Sequence, residues 1–211
     1  MNYNAREDYQ SDESARGYES RSMYKGFIGR RRTAIETKVI ADCVAQMDDD
    51  SVILDCPCGN GRWMPILSRK AKRIIGRDIS KGMIKFAGER SKKLDVPVDV
   101  ALGDAENLDM KDLSVDYVFS YALMKHLPLP NQYNVMAEFS RVARKGIICS
   151  FAVLSPLSWM YWSRRRQVDS FPLIPEELEF MAARNGLKLE KVIRVSQPLV
   201  GLEYFAIFKK G

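Results

Sequence analysis

A chain of 211 residues, 46% of them hydrophobic, suffices for one domain, or one domain with a small cap, around a sizeable core. No apolar run approaches the roughly eighteen residues of a membrane span, the polar N-terminus lacks the apolar stretch of a secretory signal, and four cysteines are too few for a disulfide framework. A reducing cytoplasm, with at most peripheral membrane contact, is therefore the expected location, and the net charge of +6, gathered in Arg30-Arg-Arg32, Arg164-Arg-Arg166 and the 69–73 cluster, suits either an anionic partner or solvated helix faces.

Residues 1–20 carry few aliphatics and many charges, which predicts a mobile segment or one that orders over a ligand. Over 22–47, Ile35, Val39, Ile40, Cys43, Val44 and Met47 recur at helical spacing. Together, residues 1–48 read as a mobile segment and cap helix ahead of a domain over 49–211. After Asp48-Asp-Asp50, the apolar run Val52-Ile-Leu-Asp55 ends in an acid, and Gly59, Gly61 and a helix-like stretch over 62–70 follow. A strand feeding a glycine turn and a helix brings backbone N–H groups close to a ligand. A dinucleotide fingerprint would need a third glycine where Met64 stands, and a phosphate loop would need Gly-Lys-Ser/Thr.

A short strand over 73–78 ends in Asp78, and Ser80 then caps a helix over 81–90. Asp78 lies 17 residues after Gly61, near the spacing that puts a carboxylate on ribose hydroxyls. Strands over 97–102 and 114–120 follow, the first ending in Gly103-Asp104-Ala105. A helix over 131–143, a strand over 146–153, a helix over 175–184 and two strands over 187–195 and 202–208 complete the chain. The alternation predicts an α/β fold, a mostly parallel sheet with helices on both faces. Asp55, Asp78 and Asp104 then meet at one crevice beyond the carboxyl ends of the strands.

Leu54-Asp-Cys-Pro-Cys-Gly-Asn-Gly61, Gly76-Arg-Asp-Ile-Ser80 with Met83, Gly103-Asp104-Ala105 and Val115-Asp-Tyr-Val-Phe-Ser120 stand in order over residues 51–151. In these motifs the chain resembles the class I S-adenosylmethionine-dependent methyltransferases. The resemblance implies a Rossmann-like seven-stranded sheet with the last strand antiparallel, S-adenosylmethionine as cofactor and no metal. It also implies that the loop bearing Asp55, Cys56, Gly59, Asn60 and Gly61 holds the methionine part of the cofactor. Asp78 would take the ribose hydroxyls, Asp104 and the Ala105 backbone would face the adenine amino edge, and Ile79 and Met83 would pack on its ring. Ser120 would open the segment lining the reacting end. Cys56 and Cys58 around Pro57, and Arg77 before the ribose acid, depart from the usual pattern. The Cys56–Cys58 spacing is too short for a metal-binding pair, and no second pair exists.

In Ser120-Tyr-Ala-Leu-Met-Lys-His-Leu127, His126 is the one histidine of the chain. It is either a general base for an oxygen acceptor or a packing residue at a helix start. Tyr121 touches cofactor or substrate, or is a half-buried aromatic. The segment lacks the Asn-Pro-Pro-Tyr signature of exocyclic-amine methylation. The stretch 154–172 is long for a connection and reads as a lid-like insertion, or as an amphipathic helix packed on the body. Its Trp159, Tyr161 and Trp162 supply flat apolar area, and Arg165 with its neighbours supplies forks for an anion. Arg30 to Arg32 would close over the same cleft. The expected activity is methyl transfer to an oxygen or carbon of a small, lipid-linked or glycan acceptor bearing an anionic group. An RNA methyltransferase is the weaker enzymatic alternative, since no RNA-binding module is appended. A non-catalytic cofactor-binding protein of the same fold is the alternative from another class.

Overall fold

The computed structural model describes residues 26–154, 171–195 and 203–211. Seven strands form one sheet: β1 (Ser51–Asp55), β2 (Ala71–Asp78), β3 (Val98–Leu102), β4 (Val115–Ser120), β5 (Ala143–Ala152), β6 (Leu187–Arg194) and β7 (Glu203–Lys210). Their spatial order is β3-β2-β1-β4-β5-β7-β6. β1 pairs in parallel with β2 and β4, while β7 runs antiparallel to both β5 and β6. The last strand is the reversed one, as the resemblance implied. The winding reverses between β1 and β4, and that switch point opens a crevice outside the carboxyl ends of the strands.

Helices cover both faces, so the central strands are buried on both sides and read as nearly continuous apolar runs. On one face α1 (Gly26–Val44), α2 (Met64–Leu67) and α3 (Lys81–Ser91) set Ile40, Val44, Met64, Leu67 and Ala87 against Ile53, Phe119, Phe205 and Ile207. On the other, α4 (Leu129–Val142) and α5 (Pro175–Arg184) set Phe139, Val142, Leu178 and Met181 against Val118, Phe151 and Phe208. Thus α1 shares its apolar layer with the sheet. Residues 1–20, expected to be mobile, lie outside the described residues. Among the described residues, no helix is long and apolar enough to cross a membrane.

Local chemistry accounts for most boundaries. Ser80 Oγ accepts the Met83 N–H at 3.3 Å and starts α3. Pro175 occupies the first turn of α5, and Gly186, at φ 63°, follows its end. The helix expected over 62–70 is cut to Met64–Leu67. Arg69 and Lys70 donate to Ile66 and Leu67 in tight turns, and the Lys70 carbonyl accepts Ser51 N–H at 3.0 Å, which draws the chain back into the sheet. β5 begins at Ala143 rather than 146 because Ala143 already pairs with Val115.

Gly146 marks the closest strand approach: a Cβ there would stand 2.5 Å from the Phe208 carbonyl oxygen. Gly146→Ala is expected to cost about 1–3 kcal/mol through overpacking. The result is a lower urea midpoint with unchanged denaturant slope. An unchanged midpoint would mean that β5 and β7 do not approach this closely.

Candidate functional site

The crevice is lined by Cys56, Pro57, Asp78, Ile79, Gly103, Asp104, Ala105, Glu106, Leu123, Leu127 and Val135, around about 380 Å³ of space continuous with solvent. Four separate segments converge there because β1, β2, β3 and β4 all end at one sheet edge. Five of the residues singled out in the sequence, Cys56, Asp78, Ile79, Asp104 and Ala105, share this lining. Met83, on the buried face of α3, lies outside the lining.

The glycine loop is built around Asp78. One carboxylate oxygen accepts Gly59 N–H and the other accepts Ser80 N–H, each at 2.9 Å. Gly59 sits at φ 51° with nothing near a Cβ position, leaving its outer side open. Gly61, at φ 76°, has a different job: a Cβ there would meet the Ala87 backbone at 3.2 Å, so it lets the loop press on α3. Asn60 is buried, and its Oδ1 accepts Arg62 N–H at 3.2 Å and Arg90 Nη1 at 3.3 Å.

Asp55 is 1% exposed, and its Oδ2 has no hydrogen-bond partner among the described residues. Burial, with the Asp78 carboxylate adding to it, pushes the Asp55 carboxyl well above the usual carboxylate range. Burial also raises Asp78, against the three backbone N–H groups that favour its charged form. Ser120, one residue past Asp55's register neighbour Phe119, buries its Oγ beside the Cys149 thiol with no nitrogen or oxygen partner among the described residues. Burial pushes the Cys56 and Cys58 thiols well up, so both are neutral; Cys56 lines the crevice and Cys58 packs in the core behind it.

The far wall is fixed by polar ties. Asp104 Oδ1 accepts Glu106 N–H at 3.0 Å, and Glu106 Oε2 accepts Asn131 Nδ2 at 2.8 Å from the start of α4. Arg77 bonds Asp99 at 2.9 Å and lies across Gly103, where a Cβ would stand 3.0 Å from its Cδ. The departure at Arg77 is thus an outer brace for the loop that carries Asp104.

Tyr121 and His126 stand beside the crevice rather than in its lining. Tyr121 is buried edge-on to Trp63 at 5.4 Å and stacked on Phe205 at 5.8 Å. His126 is half-buried and closes a 3-10 turn, Met124–His126, between the lining residues Leu123 and Leu127. Trp159, Tyr161, Trp162 and Arg165 lie outside the described residues. The two ends of their segment are joined: Leu154 N–H donates to the Leu173 carbonyl at 2.7 Å, and Phe171 N–H donates to the Lys125 carbonyl at 2.7 Å.

One feature of the site has no local sequence signal. Glu36 of α1, 1% exposed, accepts Arg32 Nε at 2.8 Å and Arg62 Nη2 at 3.2 Å. Glu203, the first residue of β7, accepts Lys125 Nζ at 2.9 Å and faces Arg32 Nη2 at 3.6 Å. These five residues tie α1, the glycine loop, the turn after β4 and the start of β7 together. Only Arg32 and Glu36 are close in sequence, one helical turn apart.

Residues 53–146 match a family described as a methyltransferase domain. This stretch of the chain is therefore a methyltransferase domain. Its fold is similar to that of a solved methyltransferase: magnesium protoporphyrin IX methyltransferase from Synechocystis PCC 6803, with bound SAH, superposes at a TM-score of 0.77 with 16% identity, over 98% of each chain. The same protein has also been solved with bound SAM. Malonyl-[acyl-carrier protein] O-methyltransferase of Yersinia pestis is 30% identical over 135 residues, 61% of this chain and 48% of that protein. The biotin biosynthesis bifunctional protein BioHC of Cellvibrio japonicus is 28% identical over 151 residues, 71% of this chain and 29% of that protein. The chain therefore spans less than half the length of these two curated relatives. The buried Asp55 carboxyl and the open side of Gly59 fit a small cofactor of the kind bound in the two Synechocystis structures.

Proposed function

We propose that this protein is an enzyme that moves the methyl group of S-adenosylmethionine to an oxygen or carbon of a small, carrier-linked, lipid-linked or glycan acceptor. The observation that carries the reading is the buried, unpartnered Asp55 Oδ2 beside a glycine loop held by Asp78. When bound, the cofactor supplies an electrophilic methyl on a neutral leaving group, so the protein contributes alignment and exclusion of water. In this reading Asp55, Cys56, Gly59, Asn60, Gly61 and Ser120 hold the methionine part, Asp55 balancing its positive charge. Asp78 binds the ribose hydroxyls, and Ile79, Asp104 and Ala105 enclose the adenine. Met83 acts from behind, by packing α3. Leu123 and Leu127 keep water from the reacting end, with Tyr121 held rigid by Trp63 and Phe205 behind them.

The name of the Yersinia relative favours an oxygen acceptor, and a carboxyl oxygen needs no base. A hydroxyl acceptor does, and His126 is then the group to take its proton. Trp159, Tyr161, Trp162 and Arg165 are proposed to meet the body of the acceptor. The test is an acceptor screen with the full chain, read by mass spectrometry as the gain of one methylene unit, with His126→Ala in parallel. Loss of about a hundredfold or more in kcat on a hydroxyl acceptor would establish the base. Activity within about twofold of wild type on every acceptor would remove His126 from the chemistry.

A further inference from the structure

We propose that Arg141, a residue outside the crevice lining, is a positioning residue for cofactor binding: its guanidinium fixes the loop between β3 and β4 that forms one wall of the crevice. The proposal rests on the methyltransferase reading and adds a residue on which its cofactor affinity depends. The loop, residues 103–114, contributes Gly103, Asp104, Ala105 and Glu106 to the lining. It contains no helix or strand of its own, and a connection of this length keeps one shape only where other elements grip it. Its near half is tied to the first turn of α4, where Asn131 Nδ2 donates to Glu106 Oε2 at 2.8 Å. Its far half is gripped by the last turn of α4, where Arg141 stands.

The grip uses every donor that the guanidinium has. Nε donates to Glu138 Oε1 at 2.8 Å. Nη1 donates to the Met110 carbonyl at 2.6 Å and to Asp112 Oδ1 at 2.8 Å. Nη2 donates to the Leu108 carbonyl at 3.0 Å and to Glu138 Oε2 at 2.7 Å. Glu138 Oε2 also accepts Leu108 N–H at 2.8 Å, and the Arg141 carbonyl accepts Leu113 N–H at 2.9 Å. A planar fork presents its N–H groups in fixed directions, which an ammonium cannot reproduce. The pair with the exposed Asp112 adds little. The bonds to the two carbonyls are different, because they fix backbone rather than another side chain. Leu113 shows the hold: it sits at φ 50°, a left-handed conformation that persists in a residue with a side chain only where its surroundings impose it. Leu108 is held through both its N–H and its carbonyl, and its side chain is buried in the same apolar cluster as Ala105 of the crevice wall. Fixing Leu108 therefore fixes the wall beside it.

The experiment titrates S-adenosylhomocysteine by calorimetry into the full chain as wild type, Arg141→Met, Arg141→Lys and Gly146→Ala, with a melting curve for each. Arg141→Met is expected to weaken binding by about tenfold, the scale of one lost charge-assisted hydrogen bond. Arg141→Lys keeps the charge and the stem but not the fork, and should be weakened by at least about threefold; it also serves if the methionine variant does not fold. Gly146→Ala strains β5 against β7 outside the lining, so it should melt lower yet bind as wild type does. Amide hydrogen exchange in Arg141→Met should quicken over residues 105–112 while β1 and β4 keep their protection. Affinity within about twofold of wild type in either Arg141 variant, or a loss in Gly146→Ala as large as theirs, overturns the positioning role. Absence of binding in wild type is the separate result that overturns the methyltransferase reading, and the positioning role with it.

Discussion

Asp78→Ala is expected to weaken S-adenosylmethionine binding by two to three orders of magnitude. The carboxylate does two things at once. It fixes the glycine loop through Gly59 N–H and the start of α3 through Ser80 N–H. In the proposed complex it also accepts from two ribose hydroxyls. A charge-assisted hydrogen bond contributes about 1.5–3 kcal/mol, so losing two corresponds to about a hundredfold to a thousandfold or more in Kd. Stability should change far less. The alanine removes a carboxyl that burial disfavours, but it leaves the Gly59 and Ser80 donors unpaired, and these effects oppose each other. Calorimetric titration beside a melting curve separates binding from folding. Affinity within about threefold of wild type would take the ribose role away from Asp78.

Asp55→Asn is expected to make the cofactor-free protein more stable and the cofactor bind less tightly. Burial and the neighbouring Asp78 carboxylate raise the folded-state pKa of Asp55 above its unfolded value. Its favourable contribution is therefore complete below the ordinary carboxylate range near pH 4 and is lost as pH rises through the raised value. Asparagine keeps the shape and removes that dependence. The gain at neutral pH comes from removing a carboxylate whose charged form burial and the Asp78 charge disfavour. A bound cation lowers the Asp55 pKa, so cofactor binding should release a proton and strengthen with pH across the same window. In Asp55→Asn the affinity falls at least about tenfold and its pH dependence shrinks. A variant less stable than wild type at neutral pH would show that the Asp55 charge is already compensated.

The sheet was legible because its central strands β1, β4 and β5 are buried on both faces and read as apolar runs, and because the neighbouring helices are bounded by residues that can be named, such as Ser80, Pro175 and Gly186. The crevice was legible in the same way: Asp78 and Asp104 stand at strand ends, and topology alone brings strand ends together. The helix over 62–70 was overestimated because its apolar spacing continues while the chain is already turning through Ser68 to Lys70 into β2. Glu106, Leu123, Leu127 and Val135 were missed as lining, because an apolar residue at a helix or turn looks the same whether it faces core or crevice. Glu106 is tied to Asn131, 25 positions away. The Glu36 and Glu203 ion pairs were hidden for the same reason. Lys125 and Glu203 are 78 positions apart, and no local pattern marks them as partners.

The most direct measurement is a calorimetric titration of the full chain with S-adenosylmethionine and with S-adenosylhomocysteine. A cofactor crevice built on Asp55 and Asp78 predicts saturable one-to-one binding of both, with proton release when S-adenosylmethionine binds. Failure of both ligands to bind at millimolar concentration would contradict the assignment of this crevice.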